Sequence, residues 1–312
     1  MSLGTNLLRL AVAAALCAGS SAQAQLFRAY LISTGNDANP CTLPAPCRLL
    51  PAALNAVASG GEIWMLDSAN YNTGTVTIGK SVSILAVPGA VGSIVALNGG
   101  PAISITAPNL KVALRNVVIA PVAGATAGTH GVQMTGASSL IIENSLFANL
   151  PGRGVSIVGN GTLKMSDTIL RDNHGPAIYL QNGALATIST SQLIGNFGGV
   201  NAYGTTATTT IASISDSVIS GWGEGASAST TIAGATVRVS VSRSTIEHTP
   251  FALQSTTSGV GAAEVNVGSS LIVENGYAWY QNGNGSSVVS LGNNHFSGNT
   301  LSLGSKSSMA PQ

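Results

Sequence analysis

The chain has 312 residues, of which only 7% are charged, and 12 basic against 11 acidic residues leave a formal net charge of +1. A nucleic-acid binder needs a basic face to displace counterions from phosphates, and this balance supplies none. No apolar run is long enough to span a bilayer, so no membrane span is expected, and solubility rests on Ser, Thr, Asn, Gln and Gly.

In chain order, Arg9 precedes an apolar stretch from Leu10 to Ala18 and then small and polar residues ending in Ala22-Gln23-Ala24. A charged start, a short apolar run and an A-x-A site read as a signal peptide over residues 1–24, cut before Gln25. The protein is therefore expected to be exported, to the periplasm or beyond it. Cys17 leaves with the signal; Leu16 directly before it suits a lipobox poorly. Loss of Arg9 leaves 11 basic and 11 acidic residues and a formal charge of zero. The remaining cysteines, Cys41 and Cys47, read as a disulfide in an oxidising compartment. The loop it closes is short, so its entropic gain is about 2 kcal/mol. With no further Cys or His beside them, and with Asp37 the one acid in the preceding turn, a metal site is not expected, nor is any cofactor.

Residues 25–60 read as an N-terminal unit. Residues 27–32 predict a first strand, and Gly35-Asn36-Asp37-Ala38-Asn39-Pro40 predicts a turn. Residues 48–59 predict a helix with Leu50, Leu54 and Val57 on one face, Pro51 in its first turn and Gly60-Gly61 as its stop. One amphipathic helix ahead of a long run of strands suits a cap over the open end of a stack. From Gly61 the strands begin, at residues 62–66, 75–78 and 82–85.

Beyond them one pattern recurs: apolar-x-Asn/Asp-Ser/Thr-x-apolar-x-x-Asn, then glycine and a second alternating run. It is anchored at Leu114, Ile142, Met165, Ile188, Ile214, Val241, Val267 and Leu291, with steps of 28, 23, 23, 26, 27, 26 and 24 residues. A period of about 25 is that of a solenoid. The anchor and the residue five later are apolar, as in Met165 with Leu170 and Ile188 with Leu193, and are expected to stack inward as columns. The residue two after the anchor is polar, and Asn recurs eight after it, at Asn173, Asn196, Asn275 and Asn299. Short polar side chains at strand bends satisfy backbone groups and bond to one another between coils. One coil cannot repay its own backbone ordering, at about 1–2 kcal/mol per residue, so the coils must stack. The expected fold is all-β: a right-handed, single-stranded parallel β-helix of about nine to ten coils over 61–304, with the capping helix before it and a polar tail at 305–312. Inserts at 121–129 and 205–210 are expected as surface loops.

The residues Ala53-Leu54-Asn55-Ala56, Gly60-Gly61-Glu62-Ile63, Tyr71 and Val76-Thr77-Ile78-Gly79-Lys80-Ser81-Val82 resemble the amino-terminal cap and first coil of right-handed β-helices of the pectin-lyase-like superfamily. Gly35-Asn36-Asp37-Ala38-Asn39-Pro40-Cys41 with Pro46-Cys47-Arg48 resembles a group of secreted bacterial β-helix proteins without an assigned activity. The resemblance covers the mature chain as architecture and implies polysaccharide chemistry as one option. The close aspartates of polygalacturonase-like hydrolases and the calcium-binding acids of pectate lyases have no counterpart among the dispersed acids here.

The densest constellation of ionisable groups is Arg153, Arg171, Asp172 and His174, on two successive coils. Arg153, Asp172 and His174 are the catalytic candidates: a basic group to neutralise an acidic sugar, and a carboxylate and an imidazole to move a proton. Tyr179, Tyr203 and Trp279 are the substrate-binding candidates, as rings suited to sugar faces. Asp216 with Arg243, and His248 with Glu274, share columns and read as structural pairs across coils. Three functions stay open: a β-helix presenting a face to polysaccharide or cell-envelope glycan without efficient catalysis, a lyase or hydrolase of an acidic polysaccharide, and an adhesin-like scaffold.

Overall fold

The computed structural model describes residues 25–122 and 128–308; the expected signal peptide and residues 123–127 of the first insert lie outside them. The described chain winds into three parallel sheets of twelve, ten and ten strands, each strand paired with its counterpart one coil away. A representative coil runs Thr162–Ser166 in the first sheet, Ile169–Arg171 in the second and Pro176–Gln181 in the third. The fold is thus a right-handed parallel β-helix, as the repeat requires.

Stacking in register is what builds the core. Leu114, Ile142, Met165, Ile188, Ile214, Val241 and Val267 pair in sequence down the first sheet, and all are buried. Phe147, Leu170, Leu193, Ile219 and Ile246 do the same down the second. Leu291 departs from its expected place. Val267 pairs with Ser290 instead, and Leu291 is 40% exposed. The corner there takes an extra turn, with both Gly292 (φ 93°) and Asn293 (φ 52°) left-handed, which carries Leu291 past the column.

The polar column has a backbone cause. Asn116, Asn144, Asp167, Thr190, Asp216, Arg243 and Ser269 all lie at φ between 44° and 53°. Each makes the sharp corner between the first and second sheets in one residue. Asn and Asp tolerate this region well; Thr190 and Arg243 carry side chains that do not. The following residue closes the hydrogen-bond account. Ser145, Thr168, Ser191, Ser217 and Ser244 are buried. Their hydroxyls donate to the carbonyls of Glu143, Ser166, Ser189, Ser215 and Ser242. They accept the amides of Val117, Ser145, Thr168, Ser191 and Ser217 from the preceding coil. A buried donor left without a partner costs about 1–3 kcal/mol, so this ladder is part of the fold's stability.

At the N-terminal end, strand β1 (Leu26–Leu31) opens the first sheet, helix α1 (Leu50–Ala56) follows, and β2 (Val57–Met65) pairs with β1. The helix buries Leu50, Ala53 and Leu54. It is shorter than the expected 48–59 because Val57 is already extended and joins the sheet. Gly60 and Gly61 do not cap it. They lie within β2, at an irregularity in its pairing with β1, and a Cβ on Gly61 would meet the carbonyl oxygen of Phe27. Cys41 and Cys47 are disulfide-bonded. Tyr30 of β1 donates to Cys41 O and accepts from the Cys47 amide, which ties the loop to the cap. At the other end, Lys306–Ser308, expected in the tail, adds a last strand to the first sheet.

Candidate functional site: an aromatic-lined hollow at one corner

The corner between the second and third sheets follows the same rule as the first. Asn149, Asp172 and Gly195 are left-handed on three successive coils (φ 57°, 56° and 67°), and His248, Glu274 and Gly298 resume the series. The coil between them breaks it. The register shifts between Ile194 and Asn196, so that Asn196 pairs with Gly221, and no residue of that corner is left-handed.

An asparagine ladder runs beside this column. Asn196 Oδ1 accepts from the Asn173 amide and side chain, and its Nδ2 donates to Leu170 O. Asn275 and Asn299 repeat the arrangement further on. Of the two intervening coils, one has Thr249 in the slot, bonded to Asn275, and the other has Trp222 where the repeat calls for Asn. An indole cannot fill that slot, and the register shift resolves the conflict. The Trp222 amide donates to Asn196 O, as the Phe197 amide donates to Asn173 O and the His174 amide to Leu150 O. His174, Phe197 and Trp222 therefore form one outward column.

Trp222 is 77% exposed and Phe197 54%. Two exposed rings on successive coils make this corner the candidate contact point. They border a hollow of about 380 Å³ lined by Asn149, Asp172, Asn173, His174, Gly195, Phe197 and Trp222. One oxygen of Asp172, Oδ2, accepts from Arg171 Nη1 at 2.7 Å. The other lies over Gly195, where any Cβ would displace it. Glycine at that position both takes the corner and leaves room for the carboxylate.

The expected site residues are thus partly brought together. Asp172 and His174 share the hollow; Arg153 does not line it. Its guanidinium lies 3.5 Å from the centre of the Tyr179 ring and donates to Ser156 Oγ at 3.2 Å. Its amide donates to Nδ1 of the half-buried His130 at 3.1 Å. Burial, and then the charge of Arg153, hold the His130 imidazole below its ordinary pKa, consistent with a neutral ring accepting at Nδ1. Burial pushes the Tyr179 phenol up despite Arg153 beside it. Tyr179 pairs in register with Ser156 and Asn201, and Tyr203 with Gln181, on the third sheet. Trp279 instead follows Leu253 in an inward column, packs edge-on against Phe296 at 5.7 Å and donates to Gly304 O. It ends the apolar stack.

Phe197, Trp222 and Asn149 were not singled out from the sequence. The available signal was Trp222 itself, eight residues after the anchor Ile214, where the other coils favour a small polar residue. Among the described residues no group of three or more His, Cys, Asp and Glu is placed to hold a metal ion.

The family model described as a right-handed beta helix region matches residues 70–215. Among solved structures, the chain resembles the pectate lyase Pel9A at 16% identity, covering 93% of this chain and 78% of that one, with a TM-score of 0.62. It resembles the polygalacturonase from Erwinia carotovora ssp. carotovora at 14% identity, over 93% and 97% of the two chains, with a TM-score of 0.55. The XylC structure, a complex with xylose, matches at 8% identity over 86% and 68%, with a TM-score of 0.58. Identities this low speak for the shared fold. No curated protein matches the chain.

Proposed function

We propose, from the premise that the chain is a right-handed parallel β-helix, that it is an exported glycan-binding protein whose contact point is the Trp222 hollow. The observation that carries this reading is the His174–Phe197–Trp222 column beside Asp172 and Asn149. Pyranose rings offer an apolar C–H face and a rim of hydroxyls. Flat exposed rings beside short polar side chains complement both, burying apolar area while keeping the hydroxyls bonded. Solved structures of similar shape include a pectate lyase, a polygalacturonase and a xylose complex, which fits a sugar ligand without identifying it.

Binding is favoured over turnover because glycoside hydrolysis ordinarily uses two carboxylates facing one bond. Among the residues lining the hollow, Asp172 is the only carboxylate. A second reading, a lyase or hydrolase, draws on Asp172 and His174 sharing one hollow, since a carboxylate and an imidazole can move a proton together. The disulfide and the signal-like first 24 residues support export.

The test is a screen of the mature chain against plant, algal and bacterial polysaccharides, scoring retention and product release together. Retention of a glycan that Trp222→Ala reduces at least tenfold is the expected result. A glycan held equally well by Trp222→Ala would place the contact elsewhere. Absence of any binding would remove the reading.

A further inference from the structure

We infer that the Trp222 hollow takes a neutral sugar ring and turns uronates away; this rests on the glycan-binding reading above. Ligand choice turns on which hydrogen-bonding groups the hollow leaves open. Asp172 is an acceptor only. Its Oδ2 is taken by Arg171, while Oδ1 accepts no hydrogen bond from any described residue and lies over Gly195, against the hollow. The open oxygen therefore needs a donor. A sugar hydroxyl supplies one; the carboxylate that a uronate carries in place of its C6 hydroxymethyl is itself an acceptor and cannot, so a uronate has one donor fewer to offer. Asn149 lines the same hollow with an amide able to both donate and accept, which again suits hydroxyls.

Charge points the same way. No lysine or arginine lines the hollow among the described residues. The two arginines that flank it in sequence are engaged elsewhere. Arg171 pairs with the outer oxygen of Asp172, and Arg153 stacks on Tyr179 and bonds Ser156. A uronate placed in the hollow would set a second negative charge near Asp172, with His174 the one basic side chain among the described lining residues to meet it. Two bare like charges about 6 Å apart at an effective dielectric of ~40 repel by an amount worth about tenfold in affinity, and Arg171 on the far oxygen of Asp172 offsets part of that. Salt weakens that penalty, and the unmatched acceptors add to it.

The class of ligand follows: an uncharged pyranose seated with its C–H face on Trp222 and Phe197 and its hydroxyls on Asp172 and Asn149. The sequence alone pointed the other way, to Arg153 as the partner of an acidic sugar. The placement of Arg153 over Tyr179 removes that partner from the hollow.

The experiment is calorimetric titration of the mature protein with neutral oligosaccharides and with oligogalacturonates of matched length, at low and high salt. Trp222→Ala and Asp172→Asn are run beside the wild type. Both variants should fold, because Trp222 is largely exposed and asparagine accepts the left-handed backbone of position 172 (φ 56°). The expected result is binding of a neutral oligosaccharide several-fold tighter than of uronates. Asp172→Asn should close that gap, and Trp222→Ala should abolish binding of both. Uronates bound more tightly than neutral sugars, and lost in Trp222→Ala, would overturn the inference while leaving the glycan-binding reading intact. Sugar binding indifferent to Trp222→Ala, or no binding of either class, would overturn the reading and the inference with it.

Discussion

Arg243 reaches across one coil to Asp216, its Nε and Nη2 donating to the two carboxylate oxygens at 2.8 and 2.7 Å, and both residues stand at left-handed corners (φ 44° and 52°). The Arg243 guanidinium holds the Asp216 carboxyl below its usual range. Both groups are solvent-exposed, so the pair adds little to stability, whereas the backbone of Arg243 is strained by its own Cβ. Arg243→Gly should therefore melt at or above the wild-type temperature, and Arg243→Ala below it. Arg243→Gly melting below the wild type in thermal denaturation would mean that the ion pair outweighs the corner, and Arg243→Ala melting as high as Arg243→Gly would mean that the corner carries no strain.

Ile188 lies fully buried in the first-sheet column between Met165 and Ile214. Ile188→Asp places an unpaired charge among these side chains and should prevent folding or cause aggregation. Ile188→Ala only removes volume and should cost about 2–5 kcal/mol. Circular dichroism and denaturant titration check both. A nearly unchanged transition for Ile188→Asp would contradict the inward column.

Asn196 is fully buried, and its amide serves Asn173 on one side and Leu170 on the other. Asn196→Ala leaves the Asn173 N–H, the Asn173 side-chain amide and the Leu170 carbonyl without these partners and should cost at least about 3 kcal/mol, at roughly 1–3 kcal/mol per orphaned group. The loss should centre on the coils around Asn173, so hydrogen exchange should quicken there before it does near the capping helix.

The columns were legible because their cause is periodic: an apolar residue every 25 or so positions has only one way to be buried when coils stack. The His248–Glu274 contact at 3.1 Å and the Arg243–Asp216 pair followed from shared positions in that period. What resisted reading was departure from the period. Trp222 stands eight residues after Ile214, yet one shifted register moves it into the column of Phe197 and His174. Leu291 is apolar at the right spacing, but two consecutive left-handed residues carry the chain past it. The helix stop was misplaced because Gly60-Gly61 reads equally as a cap or as a strand irregularity, and only the partner strand decides. The direction of Arg153 could not be read either, since it depends on a ring one coil away.

Asp67 makes the cap sensitive to acid. Burial alone would raise its carboxyl, but hydrogen bonds from Ser33 and Tyr71, with the nearby charge of Arg48, outweigh that and hold it below the ordinary value. A carboxyl whose folded pKa lies below its unfolded value stabilises the fold fully above the unfolded value, about 4, and loses that contribution as pH falls through the folded one. Tyr71→Phe removes one of the donors. It should lower stability at neutral pH by about 1.5–3 kcal/mol, as expected for a hydrogen bond to a charged group, and flatten the loss of stability below about pH 4. Identical acid unfolding curves for the variant and the wild type would show that Asp67 is not the group titrating.

The last prediction separates holding a glycan from cutting it. Hydrolysis by proton transfer asks for an acid and a base across one bond, and the hollow offers the Asp172 carboxylate and the His174 imidazole, two residues apart at one corner. With a single carboxylate there, long incubation with a bound glycan should release no product above a protein-free control. If reducing ends or unsaturated products do accumulate, Asp172→Asn and His174→Ala should each lower turnover by two orders of magnitude or more, the size expected for a missing general acid or base. Trp222→Ala, which leaves both groups in place, should act mainly by raising KM. Arg153→Ala discriminates further. Its guanidinium lies over Tyr179 and not in the hollow, so an effect on KM for acidic sugars would place the reacting bond on the face of the third sheet. Turnover that survives all four substitutions would move the chemistry away from this corner altogether.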